Sequence, residues 1–283
     1  MLNKNVQTFI SCDGEYEASH IVLFGAGFDG TTSFRPGTRF APSAIRADSF
    51  GIETYSPYQD KDMEDYSYFD SGDLELPFGS VSRTIADIAV RTDTIISDGK
   101  LPFMVGGEHL VTLGTVMSLS GKYPDMHIVH FDAHADLRNE YLGQQLSHAC
   151  ILRRCHDIVG DGRIFQFGIR SGDREEFRFA QEHTEMHRYG FDGLDDTIER
   201  LRGKKVYFTL DLDVLDPSVF PGTGTPEPGG VSFEELRRVA VKVCSELDIV
   251  GCDVCELSPQ YDHSGISTAA ACKIIREMLL ALS

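Results

Sequence analysis

The chain has 283 residues, of which 41% are hydrophobic and 25% are charged, proportions that are ordinary for a globular enzyme. Its 44 acidic and 26 basic residues give a formal net charge of −18, which argues against nucleic acid or an anionic membrane as a partner and favours a cationic small molecule. Composition alone, however, favours the simpler interpretation that the acidic residues only keep the surface soluble.

Short apolar runs alternate with helical patterns along the chain. The apolar runs predict strands at residues 21–25, 102–105, 127–131, 163–168, 205–210 and 249–256. Apolar residues at helical spacing predict helices near residues 80–97, 110–120, 145–156, 173–182, 194–202, 232–246 and 265–282. Such alternation is typical of a mostly parallel sheet with helices on both faces. Since no Pro-, Gly- or Ser-rich linker divides the sequence, we expect one three-layer α/β/α domain over residues 1–283.

The sequence predicts a cytoplasmic protein. Residues 1–10 lack the basic start and long apolar core of a signal peptide, and no apolar run is long enough to cross a bilayer. The seven cysteines are an odd, scattered set within apolar patterns, as expected for free thiols in a reducing compartment. Cys252 and Cys255 have CxxC spacing, but they would face opposite sides of the last predicted strand, which argues against a redox or zinc role.

Two aspartate-rich stretches, residues 130–136 and 211–213, each follow an apolar run. Each presents a possible metal ligand at every second residue, and alternate residues of an extended strand point to one face. Both stretches therefore lie at the carboxyl ends of predicted strands, where open α/β sheets place their sites. Repulsion among these groups calls for cations, so the sequence predicts a metal site with candidate ligands Asp132, His134, Asp136, Asp211 and Asp213.

A third motif, Gly106-Gly107-Glu108-His109, closes another predicted strand. The paired glycines allow a sharp turn before the helix that follows. A lone histidine at such a position is usually structural, but together with the two aspartate-rich stretches His109 is interpreted as a further ligand. His130 lies further back in its strand, so we expect a core histidine or one that supports a ligand.

With these three motifs, the sequence resembles the ureohydrolase family of arginases, agmatinases and their relatives. The resemblance runs from the Arg35-Pro36-Gly37 loop to Glu256-Leu257-Ser258-Pro259 and so covers nearly the whole chain. It implies an arginase-like fold, a homo-oligomer (trimer or hexamer) and two Mn(II) ions, which suit carboxylate ligands with a few imidazoles. The implied ligands are His109 and Asp136 for one ion, His134 and Asp213 for the other, and Asp132 and Asp211 as bridges.

The resemblance also implies how a guanidinium group would be hydrolysed. Two metals that share a water would lower its pKa towards neutrality and hold hydroxide beside the carbon. His148 matches the proton-shuttling histidine of the family, and a free imidazole titrates in the useful range. Glu256 matches the carboxylate that pairs with the guanidinium, and Asp136 completes the predicted catalytic set. Without the metal motifs, His148 would be interpreted as a surface residue and Glu256 as a salt-bridge partner.

The substrate is predicted from departures from the arginase pattern. Residues 137–141, which follow the last aspartate of the first motif, do not reproduce the polar residues by which arginases receive an amino acid. The sequence is more similar to agmatinases, which implies hydrolysis of agmatine to putrescine and urea, a step of polyamine biosynthesis. Arg138 is a candidate substrate-binding residue, because in the pocket it would repel an amine and favour a carboxylate, as in guanidinobutyrate. An acidic neighbour would remove that objection; arginine and formiminoglutamate are further alternatives.

Two interpretations from other classes stay open at this point. A mononuclear zinc amide hydrolase, as in deacetylases of this general fold, needs only an Asp/His/Asp set, and His109 with the Asp132/Asp136 pair argues against it. A non-catalytic relative would usually have lost ligands, and none is lost here. Glu227 could lie near the mouth of the site or be a solvated loop residue, and Asp216 is expected to fix a turn.

Overall fold

The computed structural model describes residues 7–283, so the stretch 1–10 used above to argue against a signal peptide lies partly outside the described residues. The strands are β1 (Ile21–Ala26), β2 (Tyr55–Ser56), β3 (Lys61–Asp62), β4 (Tyr68–Asp73), β5 (Leu101–Gly106), β6 (His127–Phe131), β7 (Ile164–Ile169), β8 (Glu185–Arg188), β9 (Lys205–Asp211) and β10 (Asp248–Cys255). The α-helices are α1 (Ala41–Ser49), α2 (Val81–Ser97), α3 (Thr112–Lys122), α4 (Ile151–Val159), α5 (Arg174–His183), α6 (Leu194–Leu201), α7 (Phe233–Glu246) and α8 (Ile266–Leu282).

Within residues 7–283, eight strands form one sheet in the order β4-β1-β5-β10-β9-β6-β7-β8, and β2 and β3 form a separate hairpin. Neighbouring strands of the large sheet pair in parallel. The central strands are buried along almost their whole length, as expected when helices cover both faces of a parallel sheet. The predicted α/β class with a mostly parallel sheet is confirmed.

The helices form a layer on each face of the sheet. The core on one face contains apolar side chains of α1, α6, α7 and α8, and the core on the other contains those of α2, α3, α4 and α5. Cys252 and Cys255 of β10 belong to cores on different faces, in agreement with the argument against a shared metal or redox role. All seven cysteines of the chain lie within the described residues and are free and buried.

Several elements were not predicted or begin elsewhere than predicted. β4 escaped detection because it combines buried apolar residues with Asp70, which is buried against the Arg46 guanidinium at 2.7 Å. β8 is a short, half-buried edge strand of mixed polarity. The helix predicted at residues 145–156 begins only at Ile151, because the segment before it forms a loop and a 3₁₀ turn at His148–Cys150.

The described residues are organised around this one large sheet, which supports the expectation of a single domain; that expectation stays a prediction. None of the helices in residues 7–283 has both the length and the apolar character needed to cross a bilayer.

Four adjacent central strands, β5, β10, β9 and β6, end at the same edge of the sheet. The strand that precedes β5 in the chain, β4, lies on one side of this centre, and the strand that follows β6, which is β7, lies on the other side. The carboxyl ends of parallel strands at such a change of direction leave a crevice for a ligand. Each of the four strands leads directly into one of the motifs found in the sequence.

Gly107 allows the turn after β5 to lie against the backbone that follows β1. A Cβ atom at this position would lie 2.0 Å from the carbonyl oxygen of Phe28. The same approach lets the Glu108 N–H donate to that oxygen at 2.7 Å, and the Glu256 N–H donate to the Gly107 oxygen at 3.0 Å. Because Gly107 has no side chain, the backbone segments at the ends of three strands can form hydrogen bonds with one another here.

We predict that Gly107→Ala destabilises the protein, because the methyl group forces backbone segments apart where neither can move freely. The expected loss in free energy of unfolding is roughly 1–3 kcal/mol, measured by denaturant titration. Gly121→Ala in α3 is the matched control, since nothing lies within 4 Å of the added methyl group. Equal stability of the two variants would contradict the packing argument.

Candidate metal centre

All six predicted ligands meet at the carboxyl edge of the sheet. The Nδ1 atom of His109 lies 3.1 Å from Asp132 Oδ2. The same atom lies 3.4 Å from carboxylate oxygens of Asp136 and Asp211. The Nδ1 atom of His134 lies 2.9 Å from Asp213 Oδ2 and 3.5 Å from Asp132 Oδ1. Asp132 thus turns one oxygen towards each histidine, the position required of a bridging ligand.

Asp211 is the last residue of β9, but the other five predicted ligands follow their strands rather than share a strand face, which corrects one step of the sequence argument. β6 ends at Phe131, so Asp132, His134 and Asp136 follow the strand. Asp136 has a φ of +53°, a conformation that few residues other than glycine adopt. Asp213 lies in a 3₁₀ turn and donates its N–H to Asp211 Oδ1 at 2.8 Å. Alternate spacing located the ligands, but turns complete their placement.

Burial makes it unfavourable for all the carboxylates of this cluster to be charged at once. Burial and the charge of Asp132 raise the pKa of Asp136 to about 7. Burial, together with Asp213 and Asp132, also raises the pKa of Asp211. Burial opposes ionisation of Asp132 as well, but its hydrogen bonds with histidines hold its pKa well below the usual range.

In the two imidazoles of the cluster, burial and the neighbouring carboxylates shift the pKa in opposite directions. Burial alone would lower the pKa of His109, but hydrogen bonds with Asp132 and Asp136 raise it well above the ordinary value. Burial also acts to lower the pKa of His134, but the charge of Asp213 and hydrogen bonds with Asp132 and Asp213 outweigh it and raise the pKa. Protons and divalent cations would therefore compete for the same atoms, and the four carboxylates and two imidazoles lie close enough together to serve as a donor set for such cations.

Hydrogen bonds behind His109 select the nitrogen that faces the carboxylates. Its Nε2 atom lies 2.8 Å from Thr209 Oγ1, and the Thr209 hydroxyl donates to Asp253 Oδ1 at 2.7 Å. The Nε2–H therefore donates to Thr209, which leaves the Nδ1 lone pair for a metal. Sequence analysis missed Thr209 and Asp253; polar residues inside apolar strands were the available signal.

His130 supports a ligand, as expected from its position further back in the strand. The side-chain amide of Gln166 donates to His130 Nδ1 at 3.1 Å, so Nε2 carries the proton and donates to Asp132 Oδ2 at 2.8 Å. Burial lowers the pKa of His130, which keeps the ring neutral near pH 7. The ring thereby fixes the orientation of Asp132.

Glu256 lies just beyond β10, in a left-handed conformation with a φ of +67°. Its Oε1 atom accepts the His109 backbone N–H at 2.8 Å, which fixes the carboxylate against the metal ligands. Burial and the nearby Glu108 raise its pKa well above the ordinary value. A cation beside Glu256 would restore its charge.

His148 faces the ligands from the loop before α4. Its backbone N–H donates to Thr31 Oγ1 at 3.0 Å, and its Nε2 atom lies 3.3 Å from the Ser33 hydroxyl. The Thr31 hydroxyl in turn donates to the buried carboxylate of Glu108 at 2.6 Å. Burial lowers the pKa of His148 to about 4, although the hydrogen bond with Thr31 acts to raise it. The imidazole is therefore neutral near pH 7. Thr31, Ser33 and Glu108 were not recognised in the sequence.

A cavity of about 210 Å³ joins these groups. Its walls combine metal-ligand candidates with His148, Glu256 and polar residues of the surrounding loops. The lining residues are Ser33, His134, Ala135, Asp136, Arg138, Tyr141, His148, Ala149, Ser171, Gly172, Glu176, Asp211, Thr225 and Glu256. The carboxyl ends of the central strands therefore open into one space that contains candidate metal ligands, the imidazole of His148 and the carboxylate of Glu256.

Arg138 lies in the cavity wall with its charge matched by acidic neighbours. Its Nε atom lies 3.3 Å from Glu176 Oε2, and its NH1 atom lies 3.7 Å from Asp173 Oδ2. The guanidinium also lies over the ring of Tyr141 at 4.6 Å. Glu176 is itself held, because its Oε1 atom accepts the Leu137 N–H at 2.9 Å and its Oε2 atom accepts the Asp173 N–H at 2.7 Å.

Two carboxylates of the loop after β9 have different surroundings. Glu227 Oε1 accepts the Ser171 hydroxyl at 2.8 Å and lies 3.6 Å from His134 Nε2, so it adjoins the site rather than standing alone in solvent. Asp216 accepts N–H groups from Ser218, Gly229 and Gly230, and it fixes the turn as expected.

A family model described as Arginase family matches residues 19–281. The chain belongs to the arginase family. The resemblance drawn from the three motifs is confirmed. Enzymes of the arginase family are metal-dependent, and the present chain retains a His/Asp cluster able to bind metal.

Members of the arginase family similar to this chain span almost its full length. An agmatinase of Bacillus subtilis strain 168 is 44% identical over 97% of this chain and 96% of its own. The crystal structure of a Clostridium difficile protein is 53% identical, with a TM-score of 0.93 over 95% of this chain and 99% of the other. The agmatine ureohydrolase of Thermoplasma volcanium is 34% identical, with a TM-score of 0.89 over 98% and 94%.

We predict that this arginase-family centre binds Mn²⁺ more weakly as the pH falls from about 8 to about 6, because ligands must lose protons to bind metal. The pKa of Asp136 is raised to about 7, and those of His109 and His134 are also raised, so protons compete with the ion in this range. Calorimetric titration of chelator-treated protein, in buffers of different ionisation enthalpy, measures both the affinity and the protons released. An affinity independent of pH over this range would show that other groups bind the ion.

Proposed function

We propose that this chain is an agmatinase: it hydrolyses agmatine to putrescine and urea with two Mn(II) ions. The observation that carries the proposal is the convergence of the ligand cluster, His148 and Glu256 on one cavity. The agmatinases among its relatives, similar over nearly their whole length, support the choice of substrate.

Two ions would be held by the six residues named from the sequence. His109 and Asp136 would hold one ion, His134 and Asp213 would hold the other, and Asp132 and Asp211 would be shared by both. When bound, the ions lower the pKa of water so that hydroxide is available at neutral pH, and they offset the repulsion among the carboxylates. The contacts of Asp132 with both histidines support its bridging role.

Glu256 binds the guanidinium end of agmatine. Because Oε1 is fixed by the His109 N–H, the carboxylate has one orientation at the cavity wall. A charge-assisted hydrogen bond to the guanidinium then positions its carbon beside the metal ligands. Burial makes an unpaired carboxylate unfavourable here, so the bound cation and Glu256 stabilise each other's charge.

His148 carries the proton that the departing amine needs. Water oxygen bonds to the guanidinium carbon, and the bond from that carbon to the alkyl nitrogen breaks. The amine leaves as putrescine after it takes up a proton, and the remaining carbon fragment is urea. Burial lowers the pKa of His148 to about 4, so the ring enters the reaction neutral and has one nitrogen free to take up a proton and pass it to the amine.

The charge around the tail of the cavity favours an amine over a carboxylate. Arg138 would oppose agmatine if its charge were free, but Glu176 and Asp173 already match that charge. Asp136, Asp211 and Glu256 also line the cavity, but at the end that would hold the ions and the guanidinium. A direct role for Arg138 in substrate binding stays a prediction, with guanidinobutyrate as the alternative substrate that it would favour.

The assembly and location follow from the same proposal. We infer a cytoplasmic homo-oligomer, a trimer or hexamer, as the resemblance to the family implies. Free thiols at all seven cysteines support a reducing compartment.

Urea release by the manganese-loaded protein tests the substrate. We expect kcat/KM for agmatine to exceed those for arginine, guanidinobutyrate and guanidinopropionate by roughly 100-fold or more, because each of these carries a carboxylate into an acidic cavity. Turnover of another compound in the panel but not of agmatine would overturn the substrate and leave the chemistry standing. If metal analysis found one zinc per chain and the protein hydrolysed an amide, these results would instead support the deacetylase-like alternative.

We predict that His148→Ala lowers kcat for agmatine by about 10²- to 10⁴-fold, because proton delivery to the amine is lost. Metal content and thermal stability are measured on the same preparations to show that the centre is intact. His20→Ala, at an exposed histidine that does not line the cavity, is the matched control. Unchanged turnover by His148→Ala would exclude the proton-carrying role.

A further inference from the structure

A second group of metal-ligating side chains lies outside the cavity, where α4 and α5 end. His156 belongs to the last turn of α4, His183 is the last residue of α5, and Asp161 lies in the loop between α4 and β7. The Oδ1 atom of Asp161 lies 2.7 Å from His156 Nε2 and 2.7 Å from His183 Nδ1. Two imidazole nitrogens and one carboxylate oxygen therefore converge on a single point.

The backbone holds Asp161 between the two helix ends. The Gly160 N–H donates to the His156 carbonyl at 2.8 Å, and the Gly162 N–H donates to the His183 carbonyl at 3.0 Å. Both glycines have positive φ, 84° and 70°, so the loop turns sharply on either side of the aspartate. The carboxylate is thus tied by its own loop to both histidines.

Aromatic packing fixes the directions of the two imidazole rings. The Phe179 ring stacks on His183, with centroids 4.2 Å apart and an interplanar angle of 28°. It meets His156 at 89°, with centroids 4.9 Å apart. The guanidinium of Arg153 lies over the same Phe179 ring at 3.7 Å. Since the rings have little freedom to turn, the ligating nitrogens are already oriented.

The three groups match the preferences of a transition-metal ion. Each imidazole can give one N–H to Asp161. A cation that uses the same three atoms would take the place of these two protons, and each imidazole would then carry its N–H on the other ring nitrogen. Hydrogen bonds from His156 and His183 hold the pKa of Asp161 below its ordinary value, so the carboxylate is charged. Two imidazoles with one carboxylate favour Zn(II), Ni(II) or Cu(II), and the exposed side of Asp161 leaves room for water ligands.

We propose that His156, Asp161 and His183 form a surface site for one imidazole-preferring transition-metal ion, separate from the binuclear centre. The ion would tie the end of α4 to the end of α5. These helices also border the catalytic cavity, since the 3₁₀ turn that begins at His148 leads into α4, and α5 carries Glu176. The site would therefore stabilise two elements of the cavity wall without taking part in the reaction.

Titration of the manganese-loaded protein with Ni²⁺ tests this site by comparison with His183→Ala. We expect the wild type to bind one more Ni²⁺ per chain than the variant, by calorimetry and by metal analysis after gel filtration. Exchange at the manganese centre is common to both proteins and cancels in the difference. His20→Ala is the matched control and should bind as much as the wild type.

A spectroscopic measurement identifies the ligands. Electron paramagnetic resonance of one equivalent of Cu²⁺ should show hyperfine coupling to two imidazole nitrogens in the wild type and to one in His183→Ala. Because His183 lies outside the catalytic cavity, urea release by His183→Ala should equal that of the wild type, which also shows that the variant folds. Equal Ni²⁺ uptake by wild type and variant would overturn the site and leave only a surface ion pair.

Discussion

Four aspartate carboxylates, those of Asp132, Asp136, Asp211 and Asp213, are buried side by side at the ends of the central strands, and the structure is organised to offset their mutual repulsion. Isolated in an apolar core, such charges would cost several kcal/mol each. Parallel strands bring the groups to one edge, and two histidines share protons with them. Protons offset the repulsion among these carboxylates, and divalent cations can offset it in the same way.

Support for these groups extends well beyond the ligands. A chain of hydrogen bonds from Asp253 through Thr209 fixes the tautomer of His109. On the cavity side, Glu108 and Thr31 hold the backbone of His148. Asp136 and Glu256 both have positive φ, a conformation that costs about 1–3 kcal/mol per residue and persists only where the surroundings enforce it. The fold thus gives up stability at two residues that are proposed to hold a metal ion and the substrate.

Sequence reasoning succeeded where a pattern is local. Apolar runs revealed the six long central strands, and ligands at alternate residues, next to those runs, revealed the metal motifs. It failed where a role depends on a partner distant along the chain. The roles of Thr209 and Asp253 can be recognised only when β9 and β10 lie side by side. The charge of Arg138 likewise could not be interpreted without its partner Glu176. β4 was missed for the same reason, since Asp70 is compatible with a buried strand only because Arg46 pairs with it.

Glu176 links Arg138, the predicted substrate-binding residue, to the integrity of a helix. Besides pairing with Arg138, it completes the capping box that begins α5 and accepts the Leu137 N–H beside the metal motif. A substitution that freed Arg138 for an anionic substrate by removing Glu176 would also fray α5 and loosen the ligand loop. A substitution of Arg138 itself leaves the helix start intact, because Glu176 caps α5 without it. The two partners of one salt bridge therefore differ in how freely they can change: Arg138 can vary alone, whereas Glu176 also holds a helix start and the loop that carries Asp136.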